Sequence, residues 1–269
     1  MSKQDRSGFT LVELLVVITI IGILVGLLVT AVISARENAR QTQCMKNQNE
    51  LATAIISYEL SKKRYPGYLN SRGKTWPMEL FRGLGLTKMH EKFLTGAADA
   101  TGERITQFIC PDDRLGDGGS LSYVANTGQL GDDPEPAKAY GIFHNLLAPP
   151  DGRNVKVTSS DIRDGVNQTL LIAERGSDLN QTGESGGTPR KWFGETSEEQ
   201  LGFSWVADGG KVRNHIRSYH PDVSVVTFCG NNQKKLSLDI KYYVYAMLMT
   251  PDGSKVQPEQ TDVLKEGDY

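Results

Sequence analysis

Phe9-Thr10-Leu11-Val12-Glu13-Leu14-Leu15 opens a stretch that reads, from residue 9 to residue 36, FTLVELLVVITIIGILVGLLVTAVISAR. From residue 14 to residue 35 there is no charged side chain. As a helix rising about 1.5 Å per residue, that span covers roughly 33 Å, enough to cross a hydrocarbon core of about 30 Å. A cleaved secretory signal needs a shorter apolar core of about 7–15 residues, so that reading is set aside. A plain signal anchor explains the length and the hydrophobicity but leaves Glu13 unexplained. A carboxylate in an apolar span costs on the order of 2.5–3.5 kcal/mol by insertion scales, so it has a partner and a task.

Upstream lies a short polar head, Met1-Ser2-Lys3-Gln4-Asp5-Arg6-Ser7, ending in Gly8. Gly8-Phe9-Thr10-Leu11-Val12-Glu13 resembles the processing motif of the type IV prepilin family: glycine, phenylalanine, threonine, leucine, and a glutamate at the fifth mature position. The resemblance implies that a membrane-embedded prepilin peptidase cuts after Gly8 and that Phe9 becomes the N-methylated terminus. It also gives Glu13 an assembly role, meeting the positive amino group of Phe9 on a neighbouring pilin-like subunit. Residues 1–8 are then a leader and residues 9–35 a transmembrane or filament-core helix.

The helix is expected to continue. No Gly or Pro interrupts the chain between residue 27 and Pro66, and Cys44, Gln48, Leu51, Ile55 and Tyr58 recur at the period of one helical face. Lys62, Lys63 and Arg64 complement the helix dipole at its end, and Tyr65-Pro66-Gly67 stops it. Residues 36–64 are thus an amphipathic continuation, and one rod from residue 9 to about 61 is roughly 80 Å long. Gly22 and Gly26 form a small-xxx-small pair that suits close helix approach in lipid, or local melting of the helix in a filament.

The remainder, residues 65–269, is read as a globular head. The whole chain of 269 residues carries 30 basic and 32 acidic side chains, a net charge of −2 and a pI near 6.1. That balance excludes a nucleic-acid footprint, which shows a basic excess. Three Cys and four His exclude a zinc-rich protein, and one long apolar segment excludes a multi-span membrane protein. Short helices are expected near residues 77–84 and 89–93, and a capped helical turn at 159–165. Strands are expected at 105–109, 121–126, 169–174 and 241–249. Residues 223–229 and 234–238 read as a hairpin closed by Gly230-Asn231-Asn232-Gln233, residues that accept positive φ. The fold class is α+β, a long N-terminal helix packed on a loop-rich head with an antiparallel sheet.

Several of these pieces resemble a large family of prepilin-motif proteins with a C-terminal domain of unknown function. The matching pieces are Cys44, Cys110-Pro111-Asp112-Asp113, Ser122-Tyr123-Val124-Ala125-Asn126, Asp164-Gly165-Val166-Asn167-Gln168-Thr169-Leu170, His220-Pro221 and Phe228-Cys229. They run in order over nearly the whole chain. The family's Asp-Gly after the last cysteine is Gly230-Asn231 here, which puts any role of that acid in doubt. The resemblance implies an architecture and no particular task.

Little in the head reads as reaction chemistry. His215 and His220 near Asp208 and Asp222 lack helical HExxH spacing and are read as loop residues, not a metal site. Asp112, Asp113 and Asp117 with Gly118-Gly119 form an acidic loop; no cofactor is expected, and calcium is the one ion held open there although the EF-hand spacing is absent. Glu195, Glu198 and Glu199 are read as a solvated helix start. No nucleophile elbow, phosphate loop or dinucleotide fingerprint occurs. In an oxidising compartment Cys44 and Cys110 are the expected disulfide, because Cys44 lies on the head-facing stripe and Cys110 ends a segment at a turn. Closing that loop contributes roughly 4 kcal/mol in the chain-entropy model; three reduced thiols are the alternative. The expected function is a non-enzymatic, single-pass inner-membrane prepilin-like subunit, its head in the periplasm or on the cell surface, assembled into a type IV pilus or type II secretion pseudopilus. The alternative is a membrane-tethered periplasmic binding module or hydrolase that uses the leader as an anchor.

Overall fold

A computed structural model describes residues 11–95, 103–113, 118–128, 137–147, 155–175, 191–193, 201–204 and 216–255. Helix α1, Leu11–Lys62, is continuous over 52 residues. It ends where the sequence stops it: Lys63 takes a left-handed φ of 57° and its amide caps Glu59 O at 2.7 Å, the usual αL termination of a helix, with Pro66 close behind. The chain divides into two compact units, Met1–Gln41 and Thr42–Tyr269. In the first, the large apolar side chains from Leu11 to Ile33 are 40–78% exposed. Among the described residues this is the helix long and apolar enough to cross a membrane.

The second unit holds the rest of α1 and the head. Cys44, Gln48, Leu51 and Ile55 are fully buried, and Tyr58 packs against the same core, which is the expected stripe. Asn47, Ala52 and Glu59 are buried beside it. The head carries a five-stranded sheet: β1 (Tyr123–Gly128), β2 (Leu170–Glu174), β3 (Gly202–Ser204), β4 (Val223–Phe228) and β5 (Gln233–Ser237), in the order β3-β1-β2-β4-β5. The expected β4–β5 hairpin is present, with Asn231 at φ 61° in its turn. The sheet is not wholly antiparallel as expected. β3 lies parallel to β1, and its three residues are too few to show a strand period in the sequence.

Helices α2 (Trp76–Glu79) and α3 (Thr87–Leu94) fall on the two expected helical pieces. Two other expectations fail. Residues 105–109 form a 3-10 turn, Thr106–Phe108, closed by Phe108 N to Ile105 O at 3.0 Å. The turn lets Phe108 enter an aromatic cluster with Phe81 and Trp192, instead of running past it as a strand would. Residues 242–249, Tyr-Tyr-Val-Tyr-Ala-Met-Leu-Met, form helix α4 (Tyr242–Met249) and not a strand. Short apolar runs do not distinguish helix from strand by pattern. Here Tyr245, Ala246 and Met249, one helical turn, seal a sheet face.

Both sheet faces are therefore covered. Tyr123, Ala125, Ile172 and Val225 share a core with the α1 stripe. Val124, Leu170, Ala173, Val226 and Phe228 share the other with α4. Asn126 links the second layer to the sheet, donating to Leu170 O at 2.7 Å and Met249 O at 2.8 Å. Gly128, at φ +77°, ends β1 against the Tyr140 carbonyl, where any Cβ would sit 2.0 Å from the oxygen.

The tie between α1 and the sheet is polar. Gln48 donates to Val225 O at 2.7 Å and accepts from Thr227 Oγ1 at 2.8 Å, both wholly buried. Gln48→Leu should lower stability by about 1–3 kcal/mol, since it strands a buried carbonyl and hydroxyl. Adding Thr227→Val should recover part of the loss; denaturant midpoints of the detergent-solubilised chain measure the cycle.

At Ser159–Asp161, the expected capped turn, the Thr158 amide and hydroxyl donate to Asp161 Oδ2 at 2.9 and 2.8 Å. Burial raises the Asp161 carboxyl, but these bonds and Lys138 outweigh it and hold it below the ordinary value. Its contribution is full above the ordinary carboxylate range and is lost as pH falls through the depressed value. Thr158→Ala should cost about 1 kcal/mol and shrink the acid-side decline in stability.

Candidate functional site

Four side chains from distant parts of the chain converge in the second unit. Cys44 comes from α1, Cys110 from the turn after Phe108, Glu174 from the last position of β2, and His220 from the loop before β4. All four are buried. Cys44 Sγ lies 3.2 Å from Cys110 Sγ and in hydrogen-bond contact with Glu174 Oε1. Cys110 Sγ lies 3.6 Å from both Glu174 Oε1 and His220 Nε2. His220 Nε2 is 3.3 Å from Glu174 Oε1.

Local structure dictates each placement. Cys44 sits on the buried stripe one turn before Gln48. Cys110 N donates to Ser122 Oγ at 2.9 Å, which anchors the turn to the start of β1. Glu174 continues an otherwise apolar strand, Leu-Leu-Ile-Ala-Glu, so its carboxylate enters the core. Its Oε2 accepts from Val225 N at 3.0 Å and Ser218 Oγ at 2.8 Å, leaving Oε1 toward the cysteines. His220 Nδ1 faces Asp112 Oδ2 at 2.9 Å, which turns Nε2 inward. Tyr123 OH lies 3.0 Å from Cys44 Sγ and accepts from Asn47 Nδ2 at 3.3 Å.

The charges are strongly coupled. Burial, then the bond to Cys110 and the charge of Glu174, push the Cys44 thiol far up. The bond from Cys44 draws the Cys110 thiol down against its burial, with His220 helping. Burial opposes the His220 imidazolium, but Cys110 and Glu174 prevail and push it up to about 11. Cys229 is separate: it is buried, its thiol pushed up by that burial.

Against the sequence reading, the outcome is mixed. Gly8 and Phe9 lie outside the described residues, and Glu13 is in the first turn of α1. Cys44 and Cys110 lie side by side, with their Sγ atoms 3.2 Å apart. His215, Asp208, Asp117, Glu195, Glu198 and Glu199 lie outside the described residues. His220 is no free loop histidine; Asp112 is taken up by it, and Asp113 accepts from Ser122 Oγ at 2.7 Å. Glu174 was legible only as a strand end, and its one signal was a carboxylate closing a wholly apolar strand.

A cavity of about 590 Å³ elsewhere in the head is lined by Tyr58, Lys62, Arg72, Lys74, Glu79 and Arg82 among others. Four of its lining side chains, Lys62, Arg72, Lys74 and Arg82, are basic and one, Glu79, is acidic. His220→Gln should destabilise the chain by about 3–5 kcal/mol, because the buried Glu174 carboxylate loses its cation. Combining it with Glu174→Gln should restore part of that, as read from chemical denaturation.

Comparison with known proteins adds the family. Residues 3–34 match the profile described as prokaryotic N-terminal methylation motif, and residues 33–234 match the profile described as protein of unknown function (DUF1559). The type II secretion system core protein G of Aeromonas hydrophila is 41% identical over 66 residues, 24% of this chain and 46% of that protein. The chain therefore spans about half the length of the curated relative it matches. No solved structure matches. A prepilin-type methylation motif leads directly into a domain whose profile covers most of the chain, and the protein belongs to the DUF1559 family.

Proposed function

We propose that the protein is a non-enzymatic, prepilin-like subunit, cut after Gly8 by prepilin peptidase, N-methylated at Phe9 and assembled with other pilin-like subunits into a type IV pilus or type II secretion pseudopilus. Before assembly it rests in the inner membrane by its single apolar helix, with its head on the periplasmic side. The observation that carries this reading is Glu13, an acid in the first turn of α1 just before the uncharged, exposed run from 14 to 35, and five positions into the mature chain after a Gly8-Phe9 junction. An anchor alone has no use for that acid. A filament does, because the carboxylate meets the α-amino cation of Phe9 on the next subunit in a low-dielectric core. The likeness to a type II secretion core protein over 66 residues supports the same reading.

Two variants test it in turn. Gly8→Val should leave a full-length, membrane-held precursor, because the peptidase approaches a backbone without Cβ; the intact mass of the amino-terminal peptide reads the result. Glu13→Ala should be processed and inserted normally but should drop out of sheared filament or pseudopilus fractions. Wild-type assembly of Glu13→Ala would favour the tethered binding module or hydrolase instead.

A further inference from the structure

We propose that Cys44, Cys110, Glu174 and His220 form a closed, four-ligand site for a borderline divalent transition metal, Zn²⁺ in the first instance. The ligand atoms are Cys44 Sγ, Cys110 Sγ, Glu174 Oε1 and His220 Nε2, all within 4.8 Å of one another and all from buried residues. A tetrahedral ion with bonds of about 2.0–2.3 Å holds its ligand atoms roughly 3.3–3.8 Å apart. The separations of 3.3 Å between His220 and Glu174, and 3.6 Å from Cys110 to each of them, fall in that range. Cys44 Sγ lies closer than that range to two of its partners, Cys110 Sγ at 3.2 Å and Glu174 Oε1 in hydrogen-bond contact, so the Cys44 thiol moves outward from both to take its place on the ion.

The supporting shell is the second observation. A metal-bound imidazole gives its other N–H to a carboxylate, which fixes the tautomer; here His220 Nδ1 faces Asp112 Oδ2 at 2.9 Å. Glu174 Oε2 is held by Val225 N and Ser218 Oγ, so that only Oε1 is presented inward. Cys110 is fixed by its backbone bond to Ser122, which itself donates to Asp113. The ligands come from four separate segments, so a bound ion would clasp α1, the turn after Phe108, β2 and the loop before β4 together.

Two thiolates, one imidazole and one carboxylate are a donor set that suits Zn²⁺ and disfavours calcium or magnesium, which take oxygen ligands. With four protein ligands no position remains for water or substrate, which makes the site structural. Binding balances as an exchange: the ion enters as the protons held on the two cysteines and on His220 Nε2 leave to solvent, with no change in oxidation state. The inference does not depend on filament assembly. It departs from the expectation that the head carries no metal, and it gives the two cysteines a use other than a disulfide.

The test uses the full chain in detergent, purified without chelator or affinity-tag histidines. Elemental mass spectrometry should find about one zinc per chain, with Cys44 and Cys110 resistant to alkylation until the metal is stripped. The stripped, reduced chain should take up one equivalent of Co²⁺ and develop the intense visible bands of tetrahedral cobalt with thiolate charge-transfer in the near ultraviolet. Cys110→Ser should at least halve that charge-transfer intensity, and Cys44→Ser with Cys110→Ser should abolish it. Asp112→Asn, which leaves all four ligands in place, should weaken Co²⁺ and Zn²⁺ affinity about 10–100-fold. Absence of any Co²⁺ spectrum in the folded, reduced wild-type chain would overturn the site. So would a chain as isolated that lacks metal and is two hydrogens lighter, with Cys44 and Cys110 in one non-reduced peptide pair.

Discussion

The burial of one stripe of α1 is the constraint on which the head depends. Cys44, Gln48, Leu51 and Ile55 have no exposed surface, and each meets a different part of the fold. Leu51 and Ile55 supply apolar area, at about 25 cal/mol per Å² removed from water. Gln48 supplies register: its amide satisfies both Val225 and Thr227 on β4, so the helix cannot slide along the sheet without leaving a buried carbonyl unpaired. Cys44 brings the helix into contact with the groups at the ends of β2 and the loop before β4. A head built this way has no complete core without the helix.

The same helix carries two incompatible surfaces in sequence. From Leu11 to Ile33 its apolar side chains are exposed, an arrangement that water disfavours and lipid or other apolar helices satisfy. From Thr42 onward it belongs to the compact unit of the head. Glu13 belongs to the first surface, where an acid is expensive, and the buried cluster to the second, where an acid is equally expensive. Both are carboxylates retained against a desolvation cost. The one within the head is surrounded by an imidazole and two thiols of the same chain.

The second sheet face shows how a local reading goes astray. Residues 242–249 are rich in Tyr, Val and Met, and by propensity they suit a strand. What decides their helical state is the uncovered face formed by Val124, Leu170, Ala173 and Val226, which one turn bearing Tyr245, Ala246 and Met249 covers. Asn126 then reaches through to Met249 O and fixes that helix end. Propensity differences are small beside the burial of a whole face. The parallel β3 is a similar case, since a pairing between residues 125 and 202 leaves no trace in either segment alone.

The sequence by itself determined the features that repeat or that are locally self-sufficient. An uncharged run from 14 to 35, a Gly8-Phe9 junction and Glu13 need no tertiary partner to be recognised, because membrane thickness and motif spacing are properties of the linear chain. The buried stripe of α1 follows the helical period, and the hairpin after Phe228 follows from residues that accept positive φ. Tertiary structure alone decided which side chains converge. Cys44, Cys110, Glu174 and His220 are separated by as many as 176 positions, and each has an ordinary local reading: a core thiol, a turn, a strand end, a loop histidine. Their common site exists because α1, the turn after Phe108, the end of β2 and the loop before β4 meet at one place in the core, and no spacing within the chain encodes that meeting.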